Sequence, residues 1–299
     1  MPSSAGLGTI LTAMATPLDA DLEVNEAATR RLARHLVDHG SDGLVVAGTT
    51  GESATLSDEE KLRVLDAVLD EVGEDATVIA GTGSNDTAHS VHLTRAAAEH
   101  GANGVLVVTP YYNKPSRRGL KAHFEAVAAA TDRPVIVYNI PARCVLNLEP
   151  DLIRDLSEVQ NIVGIKQAND DIEQARSIVE ETSLDLYAGD DNLLRSFAEI
   201  GGAGGICVSS HLVGTRMHEM FDAAAAGDDE QARAIDAELA DVYETLFFTA
   251  SPAPLKAALN MLGLEAGGCR LPIADLTEDE LPRVSAMLEA HGLVPLPAR

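Results

Sequence analysis

The stretch His39-Gly40-Ser41-Asp42-Gly43-Leu44-Val45-Val46 is echoed later in the chain by His100-Gly101-Ala102-Asn103-Gly104-Val105-Leu106-Val107. In both copies a first glycine ends a helical segment and a second leads into an apolar run. Ile200-Gly201 through Gly205-Ile206-Cys207-Val208 is a looser copy with one extra residue. Such an echo is repetition of a βα unit rather than a solenoid. Working outward, similar runs occupy residues 10–16, 43–47, 77–80, 104–109, 135–138, 162–166, 184–188 and 205–208. They are nearly all apolar, as strands covered on both faces must be. Helical patterns fill the intervals. Ser57-Asp58-Glu59-Glu60 is a capping box, followed at helical spacing by Leu65, Val68, Leu69 and Val72.

Strands alternating with helices predict parallel βαβ units, and eight of them predict a closed (β/α)8 TIM barrel of the α/β class. The competing doubly wound sheet would carry Gly-x-Gly-x-x-Gly after its first strand. Gly81-Thr82-Gly83-Ser84 lacks the third glycine and follows the third strand. Beyond His211 the pattern becomes purely helical, with turns at Ala226-Gly227-Asp228, Gly263, Gly267-Gly268 and Leu271-Pro272. The expected organisation is a catalytic barrel over residues 1–226 and a small helical C-terminal region over 227–299.

Composition narrows the function. A formal charge of −25 repels nucleic acid and anionic lipid, so neither is an expected partner. The acids are spread through helical segments, as on a solvated exterior. No apolar run approaches the ~20 residues that cross a bilayer. Met1-Pro2-Ser3-Ser4-Ala5 has no basic start, which argues against a secretory signal. The three cysteines, Cys144, Cys207 and Cys269, are far apart and odd in number. They fit neither a disulfide framework nor a zinc knuckle, and a reducing cytoplasm is the expected location. His35/His39 and His89/His92 share helix faces but lack a His-Glu-x-x-His arrangement, so solvated faces are expected and no metal site.

Of the five lysines, only Lys166 ends a strand-like run, in Asn161-Ile162-Val163-Gly164-Ile165-Lys166. Lys61, Lys114, Lys121 and Lys256 read as solvated. An amine held in apolar surroundings loses the solvation of its charged form and becomes nucleophilic, as Schiff-base chemistry requires. The alternative is a strand-end lysine reaching past the sheet to water. Barrel chemistry lies at the C-terminal strand ends. Those ends carry Gly48-Thr49-Thr50-Gly51-Glu52-Ser53, Thr109-Pro110-Tyr111-Tyr112-Asn113, Tyr138-Asn139-Ile140-Pro141-Ala142-Arg143, Lys166 and Gly189-Asp190-Asp191. The glycine-threonine loop offers N–H groups and hydroxyls to a carboxylate or phosphate, or is an ordinary turn. Tyr138 and Tyr112 could relay protons or simply pack. The planar fork of Arg143 could take a second carboxylate or make a surface ion pair. Asp190 and Asp191 suit capping or fixing of backbone better than a metal.

Taken together and in order, Gly48-Thr49-Thr50-Gly51-Glu52-Ser53-Ala54-Thr55-Leu56, Val108-Thr109-Pro110-Tyr111-Tyr112-Asn113, Val137-Tyr138-Asn139-Ile140-Pro141 and Gly164-Ile165-Lys166 resemble the dihydrodipicolinate synthase/N-acetylneuraminate lyase family. The resemblance spans nearly the whole chain. It implies a (β/α)8 barrel with a helical C-terminal region, pyruvate bound as an imine, and neither metal nor cofactor. It implies that the enamine condenses with aspartate 4-semialdehyde, giving 4-hydroxy-tetrahydrodipicolinate for lysine and diaminopimelate synthesis. On this resemblance Lys166 forms the Schiff base and Tyr138 shuttles protons, with Thr49 and Tyr112 completing the relay. Thr50 holds the pyruvate carboxylate, Arg143 binds the semialdehyde carboxylate, and Gly189 and Ile206 line the pocket. It further implies a homodimer or homotetramer in which Tyr111-Tyr112 lies at a subunit interface.

The chain departs from the family pattern at Cys144-Val145, Gln167 and His211, which bear on the aldehyde partner and not on imine formation. Asn85 and Tyr111 match positions that bind inhibitory lysine in some members; Asp58, Lys61 and His89 do not, so weak or absent lysine feedback is expected. The competing function is a class I pyruvate-dependent aldolase that cleaves a 2-keto-3-deoxy sugar acid with the same Lys166 and Tyr138. A third is a non-catalytic barrel that binds a small carboxylate.

Overall fold

The eight strands, covered on both faces, close into a ring that leaves no open edge. The computed structural model describes residues 6–295; Met1–Ala5, on which the expectation about a secretory signal falls, and the last four residues lie outside the described part. The strands are β1 (Ile10–Ala13), β2 (Gly43–Val46), β3 (Thr77–Gly81), β4 (Gly104–Val108), β5 (Val135–Asn139), β6 (Ile162–Gln167), β7 (Asp185–Ala188) and β8 (Gly204–Cys207). They pair in sequence order, all parallel, and β8 returns to β1 through Leu11↔Ile206. Each expected strand is present, with ends shifted by at most a few residues. Ile10, Leu11, Leu44, Val45, Ile79, Val105 and Ile136 are fully buried. Truncating such a side chain to alanine costs about 2–5 kcal/mol.

The helices are α1 (Glu26–Asp38), α2 (Asp58–Val72), α3 (Thr87–Glu99), α4 (Arg117–Ala128), a single turn α5 (Pro141–Cys144), α6 (Pro150–Ser157), α7 (Ile172–Glu181), α8 (Leu194–Glu199), α9 (Ser210–Ala225), α10 (Asp229–Leu246), α11 (Ala253–Met261) and α12 (Leu281–Ala290). The capping box of α2 is formed: the Ser57 Oγ accepts from Glu60 N–H, and a Glu60 carboxylate oxygen accepts from Ser57 N–H at 2.8 Å. Two orphan amide donors are thereby satisfied at the helix start. A turn through Gly227, at φ +79°, separates α9 from α10. Helix α10 packs along α9 and touches α8, and α12 lies against α10 and α11.

Three expectations about polar residues are corrected. Lys61 is not solvated: its side chain is 12% exposed and paired with Asp58 at 3.3 Å. Lys256 is not solvated: it is 1% exposed in α11. Its helix is covered by the chain on the polar face as well, so helical spacing alone misjudged it. His35 is half-buried rather than on a solvated face, stacked on His39 with ring centroids 4.0 Å apart. Among the described residues no helix is long and apolar enough to cross a membrane.

Candidate active site

Strand register decides which side chains meet at the mouth of the barrel. Tyr138 on β5 and Lys166 on β6 are direct partners, and Lys166 is next paired with Tyr187 on β7. The Lys166 amine lies 4.4 Å from the centre of the Tyr138 ring, and the lysine is 5% exposed. The reading of a lysine that reaches water is thus set aside. Burial holds the amine below the ordinary lysine range, against the pull of the Cys207 thiol and the carboxyls of Asp191 and Asp190. Burial also pushes the Tyr138 phenol well above its ordinary value; Asp190 adds to this, while Arg143 and the Thr49 hydroxyl act the other way. The result is an amine whose charged form is disfavoured beside a phenol whose ionised form is disfavoured.

Thr49 and Tyr138 line a small cavity of about 30 Å³ together with Gly48, Ser53, Gly81 and Gly83. A wider open groove of about 720 Å³, bordered by Asp241 and His291, lies on α10 and α12, away from these groups. Gly81 and Gly83 have no room for a side chain: a Cβ would sit 2.3 Å from Ala47 O and 2.3 Å from Val108 N. They escaped the sequence reading as pocket residues, although a glycine pair at a strand end is the signal that marks such close approach. Ala47, Glu52, Tyr112 and Val145, all in the loops after β2, β4 and β5, hold left-handed backbone angles. Such angles in non-glycine residues gather where surrounding structure enforces a site.

The other expected residues fall around this pair in different ways. Thr50 is buried beside Thr49. Arg143 is exposed on α5, yet its charge reaches Lys166, Tyr138 and Asp190. Gly189 donates its N–H to Gln167 O at 2.8 Å, at the end of β6, and a Cβ there would meet Ala168 at 2.7 Å. Ile206 is fully buried in β8, next to Cys207. Tyr112 is not brought to Tyr138 within one chain; it is 88% exposed.

Around the Lys166 and Tyr138 pair lies scaffolding of which the sequence reading identified only the Asp190-Asp191 part. Asp191, 2% exposed, accepts N–H bonds from Val208 (3.0 Å) and Ser209, tying the β7 end to the start of α9. This is the backbone-fixing role expected of the Asp190-Asp191 pair. Asn139 donates to Gln167 (2.9 Å) and Asn147 (2.8 Å), and Gln167 donates to Gln174 (2.9 Å) and Asn169 (2.9 Å). This buried carboxamide network pins the residues that follow Tyr138 and Lys166. His211 accepts from Ala15 N–H at 3.1 Å through Nε2 and donates from Nδ1 to Val208 O at 2.7 Å. Burial lowers it to about 4. Among the described residues no group of three or more His, Cys, Asp or Glu is arranged to hold a metal ion.

Comparison with known proteins agrees with this geometry. The model of the dihydrodipicolinate synthetase family matches residues 6–291. A curated relative from Moorella thermoacetica, named 4-hydroxy-tetrahydrodipicolinate synthase, is 47% identical over 96% of this chain and 99% of its own. A crystal structure of dihydrodipicolinate synthase DapA-2 from Bacillus anthracis superposes with a TM-score of 0.93 at 40% identity, covering 100% of both chains. A chloride-inhibited dihydrodipicolinate synthase from Acinetobacter baumannii, complexed with pyruvate, gives 0.93 at 34% identity over 96% of this chain and 100% of that one. With a family model matched over residues 6–291 and curated relatives this similar along nearly the whole chain, the chain belongs to the dihydrodipicolinate synthetase family.

Proposed function

We propose that this enzyme joins pyruvate to aspartate 4-semialdehyde to form 4-hydroxy-tetrahydrodipicolinate, on the route to lysine and diaminopimelate. The observation that carries the reading is the buried Lys166 amine facing Tyr138. The neutral amine attacks the pyruvate ketone carbon, and Tyr138 protonates the oxygen that leaves as water. The resulting iminium draws electrons from the methyl group, which loses a proton to give the enamine. The enamine carbon bonds to the aldehyde carbon, whose oxygen takes a proton. The substrate's own amine then attacks the imine carbon, closing the ring and freeing Lys166.

Thr50 holds the pyruvate carboxylate, and Gly189 and Ile206 line its pocket. Thr49 passes protons between Tyr138 and Tyr112. Arg143 takes the semialdehyde carboxylate through its planar fork. That residue favours the semialdehyde over a 2-keto-3-deoxy sugar acid, whose aldehyde half would need hydroxyl partners instead. The strong exposure of Tyr112 supports a homodimer or homotetramer in which Tyr111-Tyr112 meets a second copy. Residues 1–226 form the catalytic barrel and 227–299 its helical support. Neither metal nor cofactor enters the cycle. Three buried free thiols suit a reducing cytoplasm.

The test combines trapping and turnover. Borohydride added with pyruvate should leave a stable adduct on Lys166 by intact mass, and pyruvate with varied aldehydes should turn over fastest with aspartate 4-semialdehyde. No adduct, or preferential cleavage of sugar acids, would overturn the reading.

A further inference from the structure

A second pair of charges is taken out of water just behind the Thr49-Thr50 turn. Glu52 and Lys256 side chains are each 2% exposed, with Nζ 2.6 Å from Oε1. Their directed hydrogen bonds go elsewhere: Lys256 Nζ donates to Gly268 O at 2.7 Å, and Arg270 N–H donates to Glu52 Oε2 at 2.8 Å. A buried ion pair is a weak source of stability, because the cost of desolvating both ions offsets their attraction. What it does supply is position, since breaking either half leaves a charge stranded.

The position it governs is that of the turn. Glu52 holds a left-handed backbone, φ 57°, and its N–H donates to Thr49 O at 3.1 Å. Gly51 O, one residue earlier, accepts from Thr16 Oγ1 at 2.8 Å. A shift of the Glu52 side chain is therefore passed directly to Thr49 and Thr50. Arg270 straps the far side of the same segment. Its guanidinium donates to Thr55 O (3.0 Å), Glu60 (2.9 Å) and Leu22 O (2.9 Å). The Arg270 loop is itself braced, because Cys269 N–H donates to Asp275 at 2.8 Å.

We infer that Glu52, Lys256 and Arg270 are positioning residues that hold the Thr49-Thr50-Gly51 turn in the shape that receives the pyruvate carboxylate. The helical C-terminal region is then part of the active-site apparatus rather than an appendage. The inference rests on the proposal that this turn takes the carboxylate.

The experiment reads the pyruvate concentration giving half-maximal borohydride trapping on Lys166, in wild type, Glu52→Gln/Lys256→Met and Arg270→Ala. The double variant removes both charges, so no ion is stranded and the fold is retained; thermal melts verify this for each protein. Misplacement of the turn is expected to raise half-saturation roughly tenfold or more, while maximal trapping at saturating pyruvate stays close to wild type. A purely structural role would lower melting temperature without moving half-saturation. Either folded variant binding pyruvate at the wild-type concentration overturns the inference, and Arg270→Ala decides alone if the double variant does not fold. Absence of trapping in wild type would instead refute the imine reading itself.

Discussion

The Lys166 amine sits 4.4 Å above the Tyr138 ring, on neighbouring strands of a closed barrel. Two opposed effects act on the amine there. The ring face favours the ammonium by about 0.5–2 kcal/mol. Desolvation of a buried ammonium costs several kcal/mol. Burial wins, and the amine is held below the usual lysine range.

Lys166→Met is expected to abolish the pyruvate adduct and turnover, yet to melt no lower than wild type at neutral pH. Between the lowered native pKa and 10.5 the unfolded chain binds the extra proton. Native stability then rises with pH, and the variant's advantage shrinks over that interval. Melting curves at neutral and alkaline pH check this; a variant much less stable than wild type at pH ~7 contradicts it.

Tyr138→Phe removes the protonated phenol while keeping the ring over the amine. A fall in kcat of about 10²–10⁴-fold is expected. Steady-state rates near wild type would remove Tyr138 from the proton path.

Arg143→Ala should separate the two substrates. KM for aspartate 4-semialdehyde is expected to rise about 10–100-fold, the worth of a charge-assisted hydrogen bond. Pyruvate trapping on Lys166 should stay close to wild type. An unchanged semialdehyde KM would point to a different carboxylate partner.

Lysine at sub-millimolar concentration is expected not to inhibit. The Asp58 carboxylate is already engaged by His89 Nε2 at 2.8 Å and Lys61 Nζ at 3.3 Å. Another ammonium group there would have to compete with these two partners. A dose-response curve on purified enzyme that falls with lysine would refute this.

Acid sensitivity should trace partly to His211, fully buried and lowered from 6.5 to about 4. Its stability contribution is complete above 6.5 and is lost as pH falls through about 4, because the unfolded chain protonates first. His211→Asn should flatten the loss over that window by about 3 kcal/mol. Urea melts across the range measure it; an unaltered pH slope would exclude this histidine.

The barrel was legible because strands buried on both faces must be continuously apolar, and the echo of Gly40–Gly43 at Gly101–Gly104 marks the βα period. Lys166 stood out for the same reason, as a charge closing an apolar run. Lys256 was misjudged because helical spacing reports one helix's own faces, whereas its partners are Glu52, far away in the chain, and Gly268, beyond the end of its helix. The carboxamides of Asn139, Gln167 and Gln174 look like ordinary polar residues until β5, β6 and α7 converge.

Local pattern by itself determined the strands and singled out Lys166 as the candidate nucleophile, since continuous apolar runs, and a charge that closes one, are written residue by residue. Only the tertiary structure decided which polar groups meet: Tyr138 with Lys166, Glu52 with Lys256, Asp191 with the start of α9. Those pairings depend on strand register and loop closure, which join residues far apart in the chain and leave no periodic trace in it.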